Sequence, residues 1–132
     1  MKILIVEDDP LGRTLLLRYL EPYGECDTAS DGQQALDDFI KAHEGNKPYD
    51  LICLDIDLPK LDGQQALSLM RQKEEEMGIE VNSSKAVKIF MTTGYKDSDN
   101  YMTAFSKACD AYLIKPVQKK HLIRKMKEWN LI

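Results

Sequence analysis

Acidic side chains stand directly after two apolar segments of this chain. Glu7 and Asp8 follow the apolar run 3–6, and Asp55 follows the run 51–54. Carboxylate oxygens suit a hard cation such as Mg²⁺. A carboxylate can also attack phosphorus and form an aspartyl phosphate. If folding brings these groups together, they need a positive charge among them, because clustered carboxylates repel one another.

Two further polar residues follow apolar runs later in the chain. Thr93 comes shortly after the run 87–91, and Lys115 directly follows 111–114. In a parallel sheet the strand ends share one edge, which is where ligands bind in open α/β folds. A hydroxyl and an ammonium at that edge would stabilise the charge on a transferring group. The pattern therefore predicts one shared site.

Each of these residues also has an ordinary structural explanation. Asp55 could cap a turn, and the acids after the first run could only cap a helix N-terminus. Thr93 could bond its own turn, and Lys115 could be a solvated lysine. Their joint occurrence at four strand ends favours the shared site.

The apolar spacing predicts five strands alternating with five helices. The predicted strands are 2–6, 26–29, 50–55, 87–91 and 111–114, and the helices begin near Pro10, Gln33, Gly63, Asp97 and Gln118. Asp9 is the expected N-cap of the first helix, which Gly24 should end. This alternation predicts right-handed βαβ units and a parallel sheet with helices on both faces, a doubly wound α/β fold.

Composition narrows the class of protein. A chain of 132 residues predicts one domain, 1–132. The net charge of -4 argues against direct nucleic-acid binding, and no apolar run is long enough for a membrane span. Three cysteines without a CxxC pair predict free thiols and a cytoplasmic location.

Several motifs together resemble the receiver domain of two-component response regulators. They are IVEDD at 5–9, DGQQAL at 31–36, LDIDLPKLDG at 54–63, MTTG at 91–94 and YLIKP at 112–116. The resemblance covers essentially the whole chain. It implies a flavodoxin-like (βα)5 fold with a five-stranded parallel sheet of order 2-1-3-4-5.

The resemblance also implies roles for the acidic residues. Asp55 would accept a phosphoryl group from a phosphohistidine on a sensor histidine kinase or a phosphotransfer protein. Asp8 and Asp55 would bind Mg²⁺ through their side chains, and Asp57 through its backbone carbonyl. Glu7 would act through a metal-bound water. Glu7 and Asp8, rather than Asp9, are chosen as the acidic pair because Asp9-Pro10 starts the helix.

The remaining implied roles concern switching. Lys115 would pair with phosphoryl oxygens, Thr93 would move to bond one of them, and Tyr112 would be an aromatic switch that follows Thr93. Asp57 and Tyr95 occupy positions that tune the loss of the phosphoryl group. The resemblance implies a signalling domain, not an enzyme for other substrates, and no output domain. A stand-alone protein is favoured, as in chemotaxis or a phosphorelay.

The expected output face spans about 97–129 and would bind a protein target or a second copy of the chain. Its last helix is rich in cations, which form either a solvated face or a docking surface for an acidic partner. Two departures from the family pattern stand out. Gly94 replaces a common alanine, and 71–86 is long, either as an extended helix with a surface loop or as a partner contact.

Two alternatives to a phosphorylated receiver stay open. The Asp55-Ile56-Asp57 sequence resembles the DxD motif of haloacid-dehalogenase-type phosphatases, but no acidic pair follows Lys115. A degenerate receiver would bind its partners without being phosphorylated.

Overall fold

A five-stranded parallel sheet organises the computed structural model, which describes residues 1–81, 83–94 and 108–132. The strands are β1 (Lys2–Val6), β2 (Glu25–Ala29), β3 (Leu51–Asp55), β4 (Lys88–Thr93) and β5 (Ala111–Ile114). Their order is β2-β1-β3-β4-β5. Both the doubly wound fold and the predicted strand order are confirmed.

Helices cover the two faces of this sheet. They are α1 (Pro10–Leu20), α2 (Gly32–Glu44), α3 (Gly63–Glu76) and a C-terminal helix (Lys119–Glu128). The side chains of Asp9, Asp31 and Asp62 cap the first three helices by accepting backbone N–H bonds. The helix predicted to begin at Asp97 lies outside the described residues.

One predicted boundary was wrong. α1 ends at Leu20 and a 3-10 turn, Glu21–Tyr23, follows it, because Pro22 has no N–H to continue the α-helix. β4 extends beyond the apolar run 87–91 and ends at Thr93, the expected strand end. Thr92 still pairs with Asp55, and a β-branched threonine suits a buried strand.

Alternate residues of β3 enter two separate cores. Ile52 and Leu54 join the apolar cluster that includes residues of α2 and α3. Leu51 and Cys53 join the cluster that contains residues of α1 and the C-terminal helix. This burial on both faces is the reason that β3 reads as an unbroken apolar run. Asp55 ends the strand at one edge of both cores.

A buried ion-pair network lies at the opposite edge of the sheet. Arg71 of α3 reaches Glu74 at 2.7 Å and Asp110 at 2.9 Å, and all three side chains are largely buried. The sequence predicted that 71–86 is either an extended helix with a surface loop or a partner contact. The structure instead places part of its charge inside the protein.

The same three residues also bind the backbone where β4 and β5 begin. Arg71 donates to the carbonyls of Val87 and Ala108, at 2.9 and 2.7 Å. Glu74 accepts from the N–H of Val87 at 2.8 Å, and Asp110 accepts from that of Ile89 at 2.8 Å. The network therefore joins α3 to the last two strands.

No helix within the described ranges has the length and apolar character needed to cross a membrane.

We expect Arg71→Met to lower the free energy of unfolding by about 3 kcal/mol or more, because it leaves two buried carboxylates unpaired. Urea denaturation measures this loss. Lys73→Met is the matched control, since Lys73 pairs with Glu76 at 3.4 Å on the exposed side of the same helix. It should change stability by about 0–0.5 kcal/mol. Equal losses in the two variants would contradict a structural role for the buried network.

Candidate functional site

The carboxyl edge of the sheet gathers the residues that the sequence singled out. Asp55 and Thr93 end β3 and β4, while Glu7 and Lys115 directly follow β1 and β5. β1 and β3 are neighbours, paired in register up to Val6 and Leu54, so Glu7 and Asp55 come side by side. The predicted meeting of strand ends is therefore present.

Three of the acidic residues form a compact cluster. Carboxylate oxygens of Glu7, Asp8 and Asp55 lie within 4.8 Å of one another. Glu7 and Asp55 are only 2% and 1% exposed, whereas Asp8 faces solvent. An all-oxygen donor set with one ligand open to water fits a hard divalent cation such as Mg²⁺. Asp9 caps α1, as predicted.

Lys115 lies between the two buried carboxylates. Its Nζ is 2.8 Å from Asp55 Oδ2 and 2.9 Å from Glu7 Oε2. Burial alone would lower the pKa of Lys115, but its hydrogen bonds and charge interactions with Asp55 and Glu7 raise that pKa above its usual value. The ammonium therefore stays charged and joins β1, β3 and β5 at the site.

Asp55 holds its proton more tightly than an ordinary carboxylate. The pKa of Asp55 is raised to about 7, because burial, the largest cause, and the negative charge of Glu7 together outweigh the opposing effect of Lys115. The backbone N–H of Asp57 donates to Asp55 Oδ1 at 3.1 Å, which also favours the ionised form. One ammonium does not balance the charge of this acidic cluster.

Two of the predicted switch residues, Thr93 and Tyr112, lie on the neighbouring strands β4 and β5. Thr93 is buried, and its hydroxyl donates to the Gly94 carbonyl at 3.3 Å. Tyr112 is half-buried, packs against the core on the α2 and α3 side, and is hydrogen-bonded to Cys109. Tyr95 lies outside the described residues.

Asp57, which was predicted to supply a backbone ligand and to tune turnover, is exposed directly after Asp55 and Ile56. In this structure its backbone N–H contacts the Asp55 carboxylate, as described above. Its two predicted roles stay predictions.

The close packing at Gly63 and the buried hydroxyl of Thr92 were not predicted from the sequence. A Cβ at Gly63 would collide with the Asp55 carbonyl, so this glycine allows the loop after β3 to close against the strand. Pro59 and Gly63, which indicate a loop after the strand, were the available sequence signal. The Thr92 hydroxyl is buried and has no hydrogen-bond partner within the described residues. Nothing in the sequence distinguishes it from Thr93.

The fold and the site define a doubly wound α/β domain with an acidic cluster at the carboxyl edge of its sheet, and sequence comparison assigns its family. The family model described as "Response regulator receiver domain" matches residues 3–127. The chain therefore belongs to the response regulator receiver family.

The individual relatives described here share between 27% and 33% sequence identity with this chain. The chain is 33% identical to the probable methanogenesis regulatory protein FilR2 of Methanothrix harundinacea, over 96% of this chain and 79% of FilR2. It is 32% identical to the transcriptional regulatory protein ResD of Bacillus subtilis, over 96% of this chain and 46% of ResD. It spans only 12% of the probable histidine kinase 2 of rice, with 27% identity over 93% of this chain.

Solved structures show the same fold. A CheY-like receiver domain protein from Methanospirillum hungatei matches with a TM-score of 0.75 and 28% identity, covering 98% of this chain and 92% of that one. A second match is in the co-crystal structure of the Saccharomyces cerevisiae phosphotransfer protein Ypd1 with the receiver domain of Ssk1. Its TM-score is 0.80 at 28% identity, over 98% of this chain and 88% of that one.

Without a divalent metal, we expect Asp55→Asn to stabilise the protein above about pH 7, by roughly 1–3 kcal/mol. The pKa of Asp55 is raised in the folded state, so its protonation contributes stability at low pH that is lost as the pH rises through about 7. Urea denaturation in EDTA at about pH 5.5 and about pH 8 measures this difference.

Glu75→Gln, which changes an exposed carboxylate on α3, is the control and should have little effect at either pH. Mg²⁺ should stabilise the wild type more than Asp55→Asn. If Asp55→Asn is no more stable than the wild type at the higher pH, burial and the charge of Glu7 do not destabilise the ionised Asp55 carboxylate as described.

Proposed function

We propose that this domain accepts a phosphoryl group on Asp55, in a Mg²⁺-dependent reaction, from a phosphohistidine of a sensor histidine kinase or a phosphotransfer protein. The observation that carries the proposal is the Asp55 carboxylate at the sheet edge, clustered with Glu7 and Asp8 and paired with Lys115 at 2.8 Å. Membership of the receiver family supports the same chemistry.

The contacts of Asp55 suit it to act as a nucleophile. The Asp57 N–H binds one carboxylate oxygen and Lys115 the other, so the group is held in one orientation. In the transfer, a carboxylate oxygen forms a bond to phosphorus while the bond from phosphorus to the histidine nitrogen breaks. The ionised form of Asp55 attacks, and the freed imidazole leaves with the electron pair.

The incoming phosphoryl oxygens are negatively charged, so positively charged groups must contact them during the transfer. A Mg²⁺ ion held by Glu7, Asp8 and Asp55, with the Asp57 carbonyl as a further ligand, would neutralise part of that charge when bound. Lys115 lies within hydrogen-bond distance of Asp55 and can transfer its contact to a phosphoryl oxygen. Thr93, which now bonds Gly94, would turn to a second phosphoryl oxygen.

The output is a change in binding. The domain acts only on its own phosphorylation and dephosphorylation, and it is not an enzyme for other substrates. The new contacts of Thr93 and Lys115 would bias the conformation of Tyr112 and of the face formed by β5 and the C-terminal helix, where a protein target or a second copy binds.

We place the protein in the cytoplasm, which suits its three free cysteines.

An exposed apolar surface beside the site is suited to the phosphodonor. Leu11 is 82% exposed and Leu15 36% exposed on α1. They line a groove of about 400 Å³ that also contains Glu7, Lys115 and Val117. Exposed leucines next to a reactive carboxylate mark an interaction surface, so we infer that the histidine-bearing partner packs against α1.

Incubation with acetyl phosphate and Mg²⁺ should add one phosphoryl group to the wild type and none to Asp55→Asn, as measured by intact-mass spectrometry. Glu75→Gln should be labelled like the wild type, because its carboxylate is far from the site along α3. EDTA should abolish labelling. If the wild type binds Mg²⁺ but is not labelled, a degenerate receiver that acts without phosphorylation becomes the better explanation.

Leu11→Asp should slow phosphoryl transfer from a phosphohistidine protein by about tenfold while leaving labelling by acetyl phosphate unchanged, since only the protein donor needs the apolar contact. Both rates are measured by quenching the reactions at set times and determining the intact mass of the protein. Val81→Asp is the control, because Val81 is 58% exposed in the segment after α3. Equal slowing by the two substitutions, or slowing with both donors, would contradict docking on α1.

A further inference from the structure

A basic groove lies between the 3-10 turn Glu21–Tyr23 and the C-terminal helix. It has a volume of about 670 Å³ and is lined by Tyr23, Lys119, Lys120, Ile123, Arg124 and Lys127. Tyr23 and Ile123 are half-buried and pack against the core beneath the groove. The basic groove therefore combines an apolar floor with a cationic rim.

The cations of the basic groove have no acidic partners within the described part of the chain. None of the ion pairs found there includes Lys119, Lys120, Arg124 or Lys127. The fifth cation of the helix, Lys125, is not in the groove and pairs with Glu128 at 3.2 Å. The unpaired charge is thus concentrated in the groove.

The charge of this helix opposes that of the whole protein. Residues 119–128 contain five lysines and arginines and one acid, a net charge of +4, whereas the chain carries -4. The other residues therefore carry -8 in total. A positive surface on an acidic protein attracts anionic groups to one place and repels them elsewhere.

The start of the C-terminal helix is unfavourable when nothing is bound to it. Its N-cap, Gln118, makes no side-chain capping bond, and the first turn has no acidic residue. Lys119 and Lys120 instead put two cations at the positive end of the helix dipole. The residues of this first turn therefore do not stabilise the helix. A bound carboxylate would offset their positive charge and that of the helix dipole.

We propose that the basic groove binds an acidic segment of a protein partner, with carboxylates against the cationic rim and an apolar side chain on Tyr23 and Ile123. A nucleic-acid strand fits less well, because its phosphates would continue past the groove onto a strongly acidic protein. This surface adjoins the 3-10 turn after α1, and its binding does not depend on phosphoryl transfer to Asp55.

Fluorescence anisotropy of a labelled peptide of alternating glutamate and leucine tests the proposal. The wild type should bind it more weakly at about 300 mM than at about 50 mM NaCl, because salt screens the charges. The double variant Lys120→Glu and Arg124→Glu should weaken binding by about tenfold or more. Tyr23→Ala should also weaken binding, because it removes part of the apolar floor.

The matched control carries the same change of net charge elsewhere. Lys41→Glu with Lys85→Glu alters two exposed lysines outside the basic groove and should bind the peptide within about twofold of the wild type. Circular dichroism checks that both double variants are folded. Asp55→Asn should bind like the wild type, so failure of phosphoryl transfer and failure of the groove are separate results.

Three results would overturn the proposal. The first is unchanged peptide binding by the groove variant, and the second is an equal loss in the control pair. The third is binding of a single-stranded oligonucleotide of equal charge as tightly as the peptide. Sedimentation of the wild type adds a further test, since self-association abolished by the groove variant would assign the groove to a second copy of the chain.

Discussion

The contact of one ammonium with two buried carboxylates constrains the rest of the structure. Glu7 and Asp55 lie almost entirely out of water, and two such charges are costly side by side without a cation. Lys115 supplies it at 2.8 and 2.9 Å. Lys115 follows β5 while the acids come from β1 and β3, so the contact reaches across the end of β4 and joins strands that are not neighbours in the sheet.

Lys115 offsets only part of the negative charge of Glu7 and Asp55. The charge that remains is the reason that the site suits the chemistry proposed for it. The pKa of Asp55 stays above its usual value because burial and the charge of Glu7 outweigh the contact with Lys115. A divalent cation would supply the missing charge. The same positive groups can then meet a phosphoryl group. The site is thus compatible with a stable fold and can still bind a divalent cation and a phosphoryl group.

Charges elsewhere in the protein are arranged in two contrasting ways. Around Arg71, one guanidinium meets two carboxylates and two backbone carbonyls, and the carboxylates also accept backbone N–H bonds. This network is saturated and holds α3 to β4 and β5. The basic groove on the C-terminal helix has the reverse character, because its cations are exposed and unpaired in the described structure. Saturated charge suits a structural role, whereas unpaired charge suits binding.

The sequence alone determined the strands, most helix starts and the edge where the chemistry lies. Apolar runs that end in Asp55 or Lys115 specify buried strands with polar ends, and Asp9-Pro10 specifies a helix start, since these signals are local. Tertiary structure decided which charges are buried. Glu74, Glu75 and Glu76 look alike in sequence, but only Glu74 joins the network of Arg71 and Asp110. That network depends on contacts across 39 residues of sequence, which no local pattern encodes.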